Sequence, residues 1–169
     1  MMKKTRFQGI IPPVITPLKD QNSLDREGLE LLINHILSGG VHGLFILGTS
    51  GEGPGLSNVL RYEITEIVSS QVGGRVPVLV GISDTAYTES IRLSEKAADV
   101  GADAVVATPP YYFASNQIEL TEYFQTLADH SPLPLFLYNI PSHTKVSFAA
   151  ETVQTLSEHP NIIGLKDSS

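Results

Sequence analysis

Apolar residues in this chain gather into short solid runs, and between the runs they recur every three or four positions. The solid runs are Gly9–Val14, Leu44–Leu47, Val76–Ile82, Ala104–Ala107, Leu135–Tyr138 and Ile162–Leu165. Runs without polar alternation are what strands buried on both faces require. The first run differs, because Pro12 and Pro13 cannot donate to a ladder and suit a strand's end rather than a sheet's centre. The spaced pattern predicts helices. Asp25 is placed to cap one whose Leu29, Leu32, Ile33, Ile36 and Leu37 form a stripe, closed by Gly39-Gly40. Ser57 caps a second with Leu60, Ile64, Ile67 and Val68 on one face, closed by Gly73-Gly74. A third spans Thr88 to Val100 and stops at Gly101. Asn116 with Glu119 three residues on has the form of a capping box for a fourth, running through Ile118, Phe124 and Leu127. A fifth lies near Phe148–Leu156.

Six predicted strands thus alternate with five predicted helices, which is the order of an α/β protein with a parallel sheet. The spacing of roughly 30 residues per unit matches a parallel (β/α)8 barrel of about 250 residues. A doubly wound open sheet gives the same alternation. The periodicity does not choose between them. Either way the chain reads as one domain over residues 1–169, incomplete if it is a barrel.

Composition narrows the function. Eleven Lys and Arg against eighteen Asp and Glu give a net charge of −7, and no basic cluster follows Lys3-Lys4-Thr5-Arg6. Nucleic acid is therefore not an expected partner. The absence of cysteine removes disulfides, thiolate nucleophiles and Cys-based metal sites. The apolar stretch Ile10–Leu18 is broken by Pro12, Pro13 and Pro17, unlike a secretory leader, and no run is long enough to span a membrane. The expectation is a cytoplasmic protein with no membrane contact. His35, His42, His130 and His159 have no ligand spacing and receive no role.

Three segments that carry chemistry sit at the C-terminal ends of predicted strands, where parallel α/β folds place their sites. Gly48-Thr49-Ser50-Gly51-Glu52-Gly53 offers two hydroxyls in a glycine-rich turn, a candidate nest for a carboxylate or phosphate. It lacks the Gly-Lys-Ser/Thr ending of a nucleotide loop, and its glycine spacing is wrong for a dinucleotide fingerprint. Tyr138-Asn139-Ile140-Pro141 follows the fifth run, and Gly164-Leu165-Lys166-Asp167-Ser168 the sixth. A lone tyrosine there can be only a packed ring, and a lone lysine can simply reach past the sheet's rim to water. A lysine whose amine is partly desolvated can instead attack a carbonyl and form an imine.

Taken together, in this order and spacing, the segments resemble the dihydrodipicolinate synthase / N-acetylneuraminate lyase family. The resemblance also takes in Pro13-x-x-Thr16-Pro17, Gly101-Ala102-Asp103 and Pro110-Tyr111-Tyr112. It implies a (β/α)8 barrel of the TIM type, here without its last units, and a lyase or aldolase acting on pyruvate or a related 2-oxo acid. By that resemblance Lys166 forms the Schiff base, Tyr138 relays protons, and Thr49 and Ser50, flanked by Gly48 and Gly51, hold the substrate carboxylate. Thr49 also orients the tyrosine. Tyr112 matches a tyrosine that reaches a neighbouring subunit's site, which implies a homo-oligomer, a tetramer in the family. No metal and no organic cofactor are implied, since the imine on lysine is the electron sink.

The resemblance has two departures. The family's synthases continue the tyrosine segment with Ser-Arg-Thr, whose arginine binds the aldehyde's carboxylate; here the run is Ser142-His143-Thr144. Histidine lacks the bidentate fork of arginine, so the second substrate stays open. Family members are also close to 300 residues long. Two other readings stand beside the enzyme: a catalytically incomplete fragment of one, and a phosphate- or nucleotide-binding α/β domain using the Gly48–Gly55 loop.

Overall fold

In the computed structural model, residues 7–169 are described; the basic start, Lys3 to Arg6, lies outside them. They form two compact units, one of residues up to Gly81 with Lys96–Asp103, the other of Ile82–Glu95 with Ala104–Ser169.

The first unit opens with a feature absent from the sequence reading, an antiparallel hairpin of β1 (Leu18–Asp20) and β2 (Ser23–Leu24). Its turn is held by the Asn22 N–H donating to Asp20 Oδ1 at 2.9 Å, a local side-chain turn of the kind Asp favours. Helix α1 (Arg26–Ser38) starts where expected, with Asp25 accepting from the Gly28 N–H. Leu29 and Ile33 are buried, and Leu32, Ile36 and Leu37 half-buried. Strand β3 (Leu44–Ile46) is followed by helix α2 (Asn58–Val72), capped by Ser57 and closed by left-handed Gly73. Strand β4 (Val78–Gly81) runs parallel to β3, with Phe45 opposite Leu79.

The run Gly9–Val14, expected as a first strand, makes only one bridge, Pro13 to Phe45. The Val14 N–H donates to Phe45 O at 2.8 Å and the Phe45 N–H to Pro12 O at 3.0 Å. Pro12 and Pro13 have no N–H, so the ladder stops there. The described parallel strands are therefore β3, β4 and the three of the second unit.

Helix α3 (Tyr87–Asp99) contributes residues to both units. Strands β5 (Ala104–Ala107), β6 (Leu135–Asn139) and β7 (Ile162–Asp167) lie side by side and parallel in that order. All four residues of β5 are buried, as a solid run demands. Helix α4 (Gln117–His130) has the full capping box: Asn116 accepts from the Glu119 N–H, and Glu119 accepts from the Asn116 N–H. Its buried face is Leu120, Phe124, Leu127 and Ala128, whereas Ile118, expected on that face, is exposed. Leu120, Phe124 and Leu127 follow helical spacing, and Ile118, two positions before Leu120, falls off their stripe. One turn of helix, α5 (Pro141–Thr144), and then α6 (Ala150–Ser157) complete the order.

Tyr123 of α4 packs edge-on against Tyr87 and Phe124, with ring centroids 6.1 and 5.1 Å apart. Burial pushes its phenol up to about 12 from 10.0. An acid whose folded pKa is raised stabilises the fold fully below its unfolded pKa and loses that contribution as pH climbs to the folded one. Stability should therefore drop by on the order of 2–3 kcal/mol between about pH 10 and 12 through this group alone. Chemical denaturation of Tyr123→Phe against wild type checks this: the difference between the two should change across that window and be flat below it.

Candidate active site

Strands β6 and β7 bring Tyr138 and Lys166 to the same level at their C-terminal ends. The register between them shifts once, between Leu135 and Phe136, after which Phe136 faces Gly164 and Tyr138 faces Lys166. Gly164 is required there, since a Cβ would lie 2.5 Å from the Phe136 ring. Because opposite residues in a parallel ladder share a face, the two functional side chains project together. Lys166 Nζ sits 3.7 Å from the Tyr138 ring centroid and donates to Ser168 Oγ at 2.8 Å. An ammonium over an aromatic face gains roughly 0.5–2 kcal/mol, which fixes the amine's position. The Tyr138 ring is buried, while Lys166 is half-buried, so the desolvation expected of the amine is only partial.

On the other face of the same two strand ends lies a network the sequence reading missed. The buried Asn139 amide donates to Asp167 Oδ1 at 2.9 Å and accepts from the Phe148 N–H at 3.2 Å, while its carbonyl accepts from the Ser168 N–H at 2.9 Å. Asn139's amide, with the Ser169 N–H next, holds the exposed Asp167 carboxyl below its usual range. The signal was a polar residue directly after an apolar strand, in both Tyr138-Asn139 and Lys166-Asp167.

In the first unit, the strand-end loop holds two left-handed residues that are not glycine, Leu47 and Glu52. Leu47 is left-handed, with φ 57°, and turns the chain out of β3 into Gly48. Its carbonyl lies where a Cβ on Gly53 or Gly81 would be, at 2.1 and 2.3 Å, so those two glycines make room for the turn. Gly48 is buried, whereas Thr49 and Ser50 are exposed at its tip. Three of the loop's N–H groups are spent internally: Gly51 and Gly53 donate to the Gly48 carbonyl, and Glu52 donates to that of Thr49. Thr16 Oγ1 adds a 2.7 Å bond to the Gly51 carbonyl. These three donors turn inward, and Thr49 and Ser50 are exposed at the loop's tip.

Tyr112 and Phe113, after β5, are each 77% exposed and stack edge-to-face on one another, centroids 4.9 Å apart. His143 is exposed on α5, with Nδ1 bonded to Ser142 Oγ at 2.9 Å. The adjoining Lys145 is left-handed, φ 62°, and Thr144 is buried, its hydroxyl donating to the Ile140 and Val146 carbonyls. Among the described residues no three His, Asp or Glu side chains gather as a metal site would need, and no helix is long and apolar enough to cross a membrane.

A lysine and a tyrosine side by side at the ends of adjacent parallel strands, in an α/β chain, define a class of site in which an amine can meet a carbonyl beside a proton donor. Comparison with known proteins gives the chain's family. The family model of the dihydrodipicolinate synthetase family matches residues 6–169, and the chain belongs to that family. A solved dihydrodipicolinate synthase from Bacteroides thetaiotaomicron is 54% identical, with a TM-score of 0.94 over 99% of this chain and 56% of that one. YagE, a prophage protein of Escherichia coli K12 solved in complex with pyruvate, is 41% identical with a TM-score of 0.92, over 95% of this chain and 54% of its own. The 4-hydroxy-tetrahydrodipicolinate synthase of Gluconacetobacter diazotrophicus is 36% identical over 168 residues, which is 99% of this chain and 57% of that protein. The chain spans little more than half the length of the relatives it matches. Its fold class is that of these neighbours, an α/β barrel type with parallel strands, in part.

Proposed function

We propose that the chain is the N-terminal part of a (β/α)8 catalytic domain and supplies the Schiff-base half of a lyase or aldolase acting on pyruvate or a related 2-oxo acid. The observation that carries this reading is Lys166 Nζ lying 3.7 Å over the Tyr138 ring at the strand ends. The neutral amine of Lys166 attacks the C2 ketone, water leaves, and the iminium that remains acidifies C3, so that a carbon–carbon bond can form or break there. Tyr138 moves protons to and from the departing oxygen. Thr49 and Ser50 hold the substrate carboxylate, which removes much of the entropic cost of orientation. The pyruvate complex of YagE supports the 2-oxo acid as the substrate class. Tyr112, with Phe113 beside it, lies in a contact between copies of the chain; their shared exposure supports this, as a single stray aromatic would not. The cytoplasm is the proposed compartment.

His143 bears on the second substrate. At the position where the family's synthases carry an arginine, it cannot grip a carboxylate bidentately. The enzyme should therefore prefer aldehydes without a carboxylate at that end over aspartate semialdehyde. The test extends the chain with the C-terminal remainder of the Bacteroides thetaiotaomicron enzyme and assays a panel of aldehydes with pyruvate. His143→Arg should lower the KM for aspartate semialdehyde about ten- to a hundredfold, the worth of one charge-assisted contact at ~1.5–3 kcal/mol. Condensation with that aldehyde at an ordinary rate by the unmodified sequence would show that the histidine does not set the choice.

A further inference from the structure

Asn139 is nine-tenths buried and ties three segments together through one side chain and one carbonyl. Its Nδ2 holds the Asp167 carboxylate, its Oδ1 holds the Phe148 N–H ahead of α6, and its main-chain oxygen holds the Ser168 N–H. Asp167 and Ser168 flank the C-terminal side of Lys166, and Asn139 itself follows Tyr138. Beyond Asn139 and Asp167 the β6–β7 register ends, so these bonds close the ladder at the level of the functional pair. A strand end without such closure frays, and fraying moves the last side chains first. From this geometry we infer that Asn139 is a positioning residue, which by clamping Asp167 and Ser168 keeps the Lys166 amine over the Tyr138 ring. Its importance for chemistry rests on the Schiff-base reading; its effect on geometry does not.

The polarity of the clamp is specific. Nδ2 donates to Asp167 while Oδ1 accepts from Phe148, and a carboxylate in its place could do only the second. Asn139→Asp keeps the acceptor for Phe148 and sets two carboxylates against each other. Asp167→Asn in that background gives the reversed pair, in which the residue at 167 donates and the one at 139 accepts twice.

The experiment reads the geometry directly in the full chain. With lysine labelled at the ε-carbon, the Lys166 methylene should resonate upfield of the other lysines, because it lies in the shielding cone of Tyr138; Tyr138→Leu identifies the signal. Asn139→Asp should move it back to the range of the free lysines while the remaining spectrum stays folded. The reversed pair, Asn139→Asp with Asp167→Asn, should restore it. Should Asn139→Asp not fold, Asp167→Asn alone, which leaves a weaker neutral bond, should shift the signal part of the way. In the chain extended by the relative's C-terminal part, borohydride trapping of pyruvate should slow about ten- to a hundredfold at saturation in Asn139→Asp, with half-saturation unchanged, as misplacement of a reacting group predicts. An upfield signal that survives Asn139→Asp, or a reversed pair that fails to restore it, overturns the inference. An upfield signal lost and restored as described, with no trapping on Lys166 in any form, would keep the positioning role and sink the Schiff-base reading instead.

Discussion

Treated with pyruvate and borohydride, the chain extended to full family length gains one adduct on Lys166, and Lys166→Ala gains none. In the step being trapped, Nζ bonds to C2, the ketone oxygen leaves as water, and borohydride delivers hydride to the same carbon. Only a lysine held beside the substrate does this selectively. Lys96 is engaged by Glu66 at 2.7 Å, and Lys145 donates at 2.7 Å to the Ser142 carbonyl, so neither has the placement of Lys166. Tyr138 separates two contributions. Tyr138→Phe keeps the ring face under the amine and removes only the phenol, so the adduct should still form while turnover falls about 10²–10⁴-fold, the usual worth of a positioned proton donor. Tyr138→Leu removes the ring as well and should slow adduct formation itself. Peptide mapping that placed the adduct on another lysine would refute the assignment, as would equal trapping by Lys166→Ala.

The strands were legible wherever the local pattern had one cause. Ala104–Ala107 is solid, apolar and buried on both faces, so its bounds agree in sequence and structure. The caps at Asp25, Ser57 and Asn116 were legible because each is a short-range hydrogen bond between residues close in the chain. The hairpin at Leu18–Leu24 was not, because its few residues show no alternation and its turn depends on one Asp20 side chain. Gly9–Val14 read as a strand with prolines at its end, and the missing donors of Pro12 and Pro13 cut it back to a single bridge. At the candidate site the residue types could be read, and their pairing could not. That Tyr138 stands opposite Lys166 depends on the register shift at Leu135 and Phe136, a feature of the strand pair rather than of either segment. The Asn139–Asp167 clamp was hidden for the same reason, since its partners are 28 residues apart.

Produced by itself, the chain should associate through β7. That strand ends the order β5-β6-β7, so one side of it carries unpaired N–H and C=O groups. Such an edge is a template for another strand unless charge, proline or a covering element blocks it. None of these acts along Ile162–Leu165; instead Ile163 and Leu165 are each 42% exposed. With Val153 and Ser157 of α6 they line an open groove of ≈ 220 Å³. Covering a few hundred Å² of apolar surface at roughly 25 cal/mol per Å² gives ~5–10 kcal/mol. That is on the scale of micromolar association before its entropic cost is subtracted. Size-exclusion chromatography with light scattering should show masses above 18.3 kDa that rise with concentration. Ile163→Lys, which puts a charge on the edge without touching Lys166, should shift the population towards monomer. Extension with the relative's C-terminal part should remove association through β7 more completely, because that part supplies the longer family members' remaining length, and should leave only assembly through the Tyr112 and Phe113 face. A concentration-independent monomer of 18.3 kDa, with a sharp thermal transition and pyruvate trapping of its own, would show that these strands suffice for fold and chemistry alike.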